Sequence, residues 1–126
     1  MLRIVLGEGG GLTGIWDGHT ITGDGAVYAW RGRGAGENER AIGRLHADTM
    51  CVLWDKVKAL TAVPPTAAAG SLVRFISVTM SDSTRTYSWK PQLGTDLART
   101  SYQEIYDRCL AAIRYSISQT RELTTP

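Results

Sequence analysis

Hydrophobic and polar residues alternate along five stretches of the chain, the period-2 pattern of strands with one buried face. Leu2, Ile4 and Leu6 form the first stretch, and the others are 16–22, 26–31, 72–80 and 84–90. Turn residues at 23–25 and 81–83 join the second stretch to the third and the fourth to the fifth. The pattern therefore predicts one strand and two β-hairpins.

Two further segments have apolar residues every three or four positions, the period of an amphipathic helix. The first runs from about Ala47 to Thr61 and stops before the prolines at 64–65. The second follows a capping box at 101–104 and runs to about Ser118. His46 is expected at or near the cap of the first helix. Segment 32–43 is rich in glycine and charge, and it predicts an exposed loop.

The predicted order is ββ-α-ββ-α, and residues 1–126 are expected to form a single domain. Hairpins need neighbours, and an amphipathic helix needs a surface to cover. The fold class is therefore α+β: an antiparallel sheet of four or five strands with both helices on one face. The other face is expected to keep threonine, serine, arginine and exposed aromatic residues.

Charge and hydropathy limit the partners. The formal charge is +2, with acids and bases interspersed, so no basic stripe is available for nucleic acid. Apolar runs all fall short of the roughly 18 residues of a membrane helix, so we expect no membrane insertion by this chain. We expect a monomer, cytoplasmic as the sequence stands, or periplasmic or envelope-bound if a leader has been removed.

The titratable residues do not form a catalytic or metal signature. Gly9-x-Gly11-x-x-Gly14 matches the dinucleotide fingerprint as text, but a strand follows where the fingerprint needs a helix. His19 and His46 have no second histidine or cysteine at ligand spacing. Asp17 is read as an acid with a role in turn chemistry. We therefore predict no enzyme activity, no metal and no cofactor; an enzyme would need a polar pocket of clustered titratable groups.

Cysteines and aromatic residues leave alternatives open. Cys51 and Cys109 both lie on predicted helices, where buried free thiols are commoner than a disulfide between helices. Trp54, Tyr102 and Tyr106 are assigned to the helix-sheet core. The hairpin aromatics could belong to the core or to an open face that contacts a protein; they are Trp16, Tyr28, Trp30, Tyr87 and Trp89.

The segment from Gly9 to Gly14 has four glycines in six positions, which marks a sharp bend or a bulge. Its exposed backbone could pair with a partner's cleft as an added strand, with a tryptophan as anchor. The alternative is that the glycines only bend a strand. The predicted partner-binding residues are Gly10, Gly11, Leu12, Thr13, Gly14 and Trp16.

These residues also carry a family resemblance. The segments 10–14, 53–60 and 73–80 and the helix after Ser101 resemble, in order, those of emfourins, small protein inhibitors of thermolysin-type metallopeptidases. Leu12 stands where that family has an aromatic residue. The layout also resembles bacterial envelope lipoproteins with a GGFTG-like start. The resemblance implies a metallopeptidase partner, and we predict a non-enzymatic protein-binding module; the alternative is an envelope protein with no tight ligand.

Overall fold

The computed structural model describes residues 2–10, 13–59, 72–89 and 101–124. Predictions for Gly11, Leu12, the prolines at 64–65 and the side chains of 101–102 lie outside the described residues. The described elements are β1 (Leu2–Gly10), β2 (Ile15–Thr22), β3 (Ala26–Gly32), β4 (Arg40–Arg44), α1 (Ala47–Lys58), β5 (Leu72–Met80), β6 (Ser83–Trp89) and α2 (Ser101–Thr124).

The strands form one antiparallel sheet in the order β4-β3-β2-β1-β5-β6, with β1 paired to both β2 and β5. The sheet has six strands, not the predicted four or five, because β4 lies in the segment predicted as a loop. The order of elements is therefore ββββ-α-ββ-α. In β4 a single isoleucine, Ile42, stands among arginine, alanine and glycine. This strand has almost no apolar alternation because its pairing with β3, rather than its own pattern, specifies it.

Three predicted boundaries also move. β1 continues past Leu6 to Gly10, so Gly7 and Gly9 are strand residues. α1 ends at Lys58, and α2 continues to Thr124. The last turns of α2 are polar, so they carry no apolar period from which their helical structure could be read. His46 is the N-cap of α1, with an extended backbone and no side-chain capping bond.

The main core lies on one face of the sheet, where both helices pack as predicted. Ile4, Ile21 and Val78 are paired neighbours on β1, β2 and β5, and all three are buried. The helices add Met50, Leu53, Val57, Ile105, Tyr106, Cys109 and Ile113 to the same cluster. Both cysteines are free; Cys109 is buried, but Cys51 is exposed, which corrects the expectation of a buried thiol at that position.

The opposite face carries a second, smaller aromatic layer. Trp16 meets Phe75 edge to face at 5.7 Å between ring centroids, and Trp30 lies 6.0 Å from Phe75. Trp30 is only 3% exposed. A Cβ at Gly7 would lie 2.8 Å from Cη2 of Trp30, so the indole requires glycine beneath it. The aromatics expected on an open face are therefore packed.

Tyr87 and Trp89 belong to the helix-covered core, one of the two alternatives left open for the hairpin aromatics. Tyr87 is paired with Ile76 and is fully buried in the helix-covered core. Trp89 packs against that core, edge to face with Tyr106 at 5.4 Å. Both residues therefore lie under the helices, where their rings fill space between β6 and α2.

Candidate functional site

The predicted partner-binding residues lie at one end of the sheet, where β1 turns into β2. Gly10 is the last paired residue of β1, opposite Ile15, and has a φ of +85°. Gly14 has a φ of +66° and open space around it. Thr13 is exposed, and its Oγ1 accepts a hydrogen bond from the Ile15 backbone N–H at 3.3 Å. We call the exposed pair Thr13 and Gly14 the hairpin tip.

Trp16 does not extend from this tip as a free anchor. Its indole packs over Gly9, where a Cβ would lie 2.6 Å from Trp16 Cδ2, and against the Phe75 ring. Part of the side chain stays accessible. The structure therefore brings Gly10, Gly14 and Trp16 to one end of the sheet but gives Trp16 a packing role in the aromatic layer.

Towards the same end of the sheet, the residues on the helix-covered face change from hydrophobic to charged. Residues paired across neighbouring strands form rows on this face. The apolar row is Val78, Ile4, Ile21 and Val27; the middle row is Ile76, Leu6, His19 and Ala29; the charged row is Arg74, Glu8, Asp17 and Arg31. Hydrophobic residues thus give way to ions two rows further along the same strands.

Helix α2 crosses above these rows. Near its start Tyr106 meets Trp89 of β6, and near its other end the Oγ of Ser116 would be 3.5 Å from a Cβ at Gly43 of β4. The helix therefore runs from the β6 side of the sheet to the β4 side.

A cavity of about 550 Å³ lies between α2 and the middle and charged rows. We call it the α2 pocket. Its titratable lining residues are Glu8, Asp17, His19, Arg31, Arg40, Arg74, Tyr106, Asp107 and Arg114.

The arginines of the α2 pocket fall into two groups. Arg74 is neutralised, because its Nε lies 3.2 Å from Oε2 of Glu8, and its guanidinium also lies 5.7 Å from the centroid of the Tyr106 ring. Arg31, Arg40 and Arg114 make no side-chain ion pair or hydrogen bond within the described part of the chain. These three arginines are exposed to solvent and therefore remain available to a ligand, while Asp17 and Asp107 line the same pocket.

His19 lies in the middle row between charges of opposite sign. Its Nδ1 is buried and has no hydrogen-bond partner among the described residues. Burial lowers the pKa of His19 below its usual range; Asp17 opposes this shift and Arg114 adds to it. The imidazole is therefore neutral at pH 7.

Tyr106 supplies a hydroxyl that stays protonated. Burial, together with the carboxylates of Glu8, Asp17 and Asp107, raises the pKa of Tyr106 to about 12, and Arg74 opposes these effects. At neutral pH the hydroxyl can donate a hydrogen bond but does not ionise.

Other catalytic or metal chemistry finds little support in the described residues. They contain no group of three or more His, Cys, Asp and Glu side chains arranged to hold a metal ion. Burial raises the pKa of the Cys109 thiol to about 12, and neither Cys109 nor Cys51 lines the α2 pocket. Neither described helix is both long and apolar enough to cross a membrane.

Sequence reasoning missed the α2 pocket, although part of its signal was present. Glu8 and Arg74 continue the inward-facing alternation of β1 and β5 beyond Leu6 and Ile76, so each places a charge where a core residue is expected. Asp17 was interpreted as turn chemistry, but it lies within β2 and belongs to the charged row. No protein-family profile, curated protein or solved structure matches this chain.

Proposed function

We propose that this protein is a non-enzymatic binding domain that holds a small anionic ligand in the α2 pocket. The observation that carries the proposal is the set of three guanidinium groups, Arg31, Arg40 and Arg114, without anionic partners among the described residues. With Arg74 they give the lining four cations against the three acids Glu8, Asp17 and Asp107, and a bound anion would offset this excess of positive charge.

The chemistry of the lining favours an anion with two or more oxygens. A guanidinium presents a planar fork of donors that matches a carboxylate or a phosphate in a bidentate pair. Arg31 and Arg40 belong to adjacent strands, and Arg114 lies on the helix above them. A ligand between sheet and helix would therefore meet cations from both walls, with His19 as a neutral partner beside them.

Binding without reaction is the simpler role for these groups. Tyr106 does not ionise near neutral pH, since its pKa is raised to about 12. The thiols lie elsewhere, and neutral His19 has no acid or base partner at hydrogen-bonding distance in the described residues. These features support recognition of a ligand more than transfer of a group.

Titration with small anions tests the proposal. Hexanoate, succinate and inorganic phosphate would be added separately to isotopically labelled protein, and amide and side-chain resonances followed by NMR. We expect saturable shifts centred on His19, Arg31 and Leu110, which line the pocket, for at least one anion at micromolar to millimolar concentration.

Two variants that each remove one positive charge make this test specific. Arg114→Gln should weaken binding about tenfold or more, because it removes a charge-assisted interaction. Arg33→Gln is the matched control, since Arg33 is exposed and does not line the pocket. Equal weakening by both variants would mean that net charge alone attracts the anions, and no saturable shift with any anion would contradict the proposal.

A second candidate function is protein binding through the hairpin tip, with a thermolysin-type metallopeptidase as the partner that the emfourin resemblance implies. Positive φ at both Gly10 and Gly14 favours this candidate, because such backbone bends the chain where the pairing of β1 with β2 ends. Thr13 and Gly14 are exposed there, and Trp16 is partly accessible beside them. Exposed hairpin backbone can enter a cleft as an added strand.

Inhibition assays against thermolysin-type enzymes test this candidate. Thr13→Arg should abolish inhibition by adding bulk at the tip, whereas Ser83→Arg, which places the same charge at the start of edge strand β6, should leave it intact. Absence of binding at micromolar concentration by the unaltered protein would exclude the peptidase as partner. The alternative, an envelope protein with no tight ligand, would then remain, and the hairpin tip would have no binding role.

A further inference from the structure

We infer that the ligand of the α2 pocket is a small zwitterion that carries a carboxylate at one end and an ammonium group at the other. The inference rests on the proposed anion site and adds a second recognition element to it. The observation behind it is that the pocket lining is polarised: its unpaired cations lie on β3, β4 and the later part of α2, and its unpaired acids lie on β2 and the earlier part of α2, with Asp17 and Arg31 directly paired at the boundary.

The cationic end lies towards β3 and β4. Arg31 is the β3 member of the charged row, and Arg40 of β4 is paired with Ala29. Arg114 reaches this end from above, because the following part of α2 approaches β4 at Gly43. Each of the three guanidinium groups lacks a carboxylate partner in the described residues.

The acidic end lies towards β1 and β2. Asp17 has no ion-pair partner among the described residues, and Asp107 accepts one hydrogen bond, from Nε2 of Gln103 at 3.1 Å, which leaves its charge uncancelled. Both carboxylates line the pocket, as does Glu8. Glu8 is already neutralised by Arg74, which leaves Asp17 and Asp107 to meet a ligand cation.

His19 marks the boundary between the two ends. It shares β2 with Asp17 and is paired with Ala29 of β3, the strand that carries Arg31. The partly exposed apolar side chains of Ala29 and Leu110 accompany it in the pocket. A ligand that spans the pocket would therefore pass a partly apolar middle, where methylene groups can be buried.

The spacing of the charges suits a short alkyl chain. Arg114 follows Asp107 by seven residues, two turns of helix α2, which separates their backbones by about 10 Å along the axis. On the sheet, β2 and β4 are separated by one strand, which gives about 10 Å between the backbones of Asp17 and Arg40. Long side chains on both ends shorten the gap that a ligand must bridge.

Three matched compounds separate the two recognition elements. The probes are 6-aminohexanoate, hexanoate, which lacks the ammonium group, and hexylammonium, which lacks the carboxylate. Affinities would be measured by calorimetry and by NMR titration of the intact chain. We expect 6-aminohexanoate to bind about tenfold more tightly than hexanoate, the gain from one added charge-assisted hydrogen bond, and hexylammonium to bind most weakly.

Variants that each remove one carboxylate test whether the acids of the pocket cause the higher affinity for 6-aminohexanoate. Asp107→Asn and Asp17→Asn should each reduce the ratio between the affinities for 6-aminohexanoate and hexanoate towards one. Asp82→Asn is the matched control, because Asp82 is exposed in the turn between β5 and β6 and does not line the pocket. Circular dichroism would first establish that each variant is folded.

The outcomes distinguish this inference from the proposal on which it rests. Hexanoate binding as tightly as 6-aminohexanoate, at a site that Arg114→Gln weakens, would overturn the zwitterion and leave the anion site standing. Hexylammonium binding as tightly as 6-aminohexanoate would also overturn it, since the carboxylate would then be unused. Absence of saturable binding by all three compounds, and by succinate and phosphate, would overturn both.

Discussion

The apolar row and the charged row occupy the same face of the same strands, yet one is buried and the other is partly exposed. Ile4 and Ile21 in the apolar row are both 0% exposed. In the charged row the side chains of Glu8 and Arg74 are 41% and 35% exposed. Backbone pairing is continuous through both rows, so the difference comes from side-chain chemistry alone. One row closes against the helices, and the other leaves a cavity that water or a ligand must fill.

The largest effect that this comparison predicts is at the apolar row. Ile4→Ala should lower the free energy of unfolding by about 2–5 kcal/mol, because it leaves a cavity at a position where β1, β2 and β5 meet. Urea unfolding followed by circular dichroism measures this. Val52→Ala, at a position 49% exposed on α1, is the control and should change stability by less than about 0.5 kcal/mol. A loss below about 1 kcal/mol at Ile4 would contradict the assigned core.

The next effect concerns the face of the sheet opposite the helices, where the aromatic layer packs against the strands that carry the charged row. Gly18→Ala should lower stability by about 1–3 kcal/mol, since the added methyl group meets the Leu6 carbonyl oxygen and lies 2.7 Å from Cζ2 of Trp30. Gly34→Ala is the matched control, because its nearest contact would be an ordinary 3.8 Å to Oε2 of Glu37. Equal stability of the two variants would show that β1 and β2 can separate at this point without cost.

Replacing the ion pair of Glu8 and Arg74 should change stability less than either substitution above. The double variant Glu8→Leu, Arg74→Leu continues the apolar pattern into the charged row and should change stability by no more than about 1 kcal/mol, because half-exposed ion pairs contribute little. Chemical unfolding measures the change. A loss above about 2 kcal/mol would mean that the ion pair holds this end of the sheet together, which contradicts the small contribution expected of it.

The smallest effect is a dependence of stability on pH. Burial depresses the pKa of His19 in the folded state, so the unfolded chain binds the proton more readily. The contribution of His19 is therefore fully present above the ordinary histidine pKa of about 6.5 and is lost as the pH falls towards the folded value. His19→Gln should flatten the unfolding free energy between about pH 5 and 7. An unchanged slope in that variant would assign the dependence to other groups.

Much of the fold was predictable because its signals are local. The alternation of β5 fixed its limits at Leu72 and Met80, and His46 was placed correctly before α1. β4 was not predictable, since its residues have no apolar alternation and gain their hydrogen bonds from β3. The position of Tyr87 was left open between core and open face, because alternation shows that a residue has a face but not which face the helices cover.

The amino-acid sequence by itself determined the two hairpins, the amphipathic helices and the places where charged residues interrupt inward-facing positions. Only the tertiary structure decided that Glu8, Asp17, Arg31 and Arg74 form one row, because that depends on the order and register of four strands. It also decided that α2 crosses this row and brings Arg114 and Asp107 to the same cavity. Period and propensity act between near neighbours along the chain, whereas a binding site joins residues that only packing brings together.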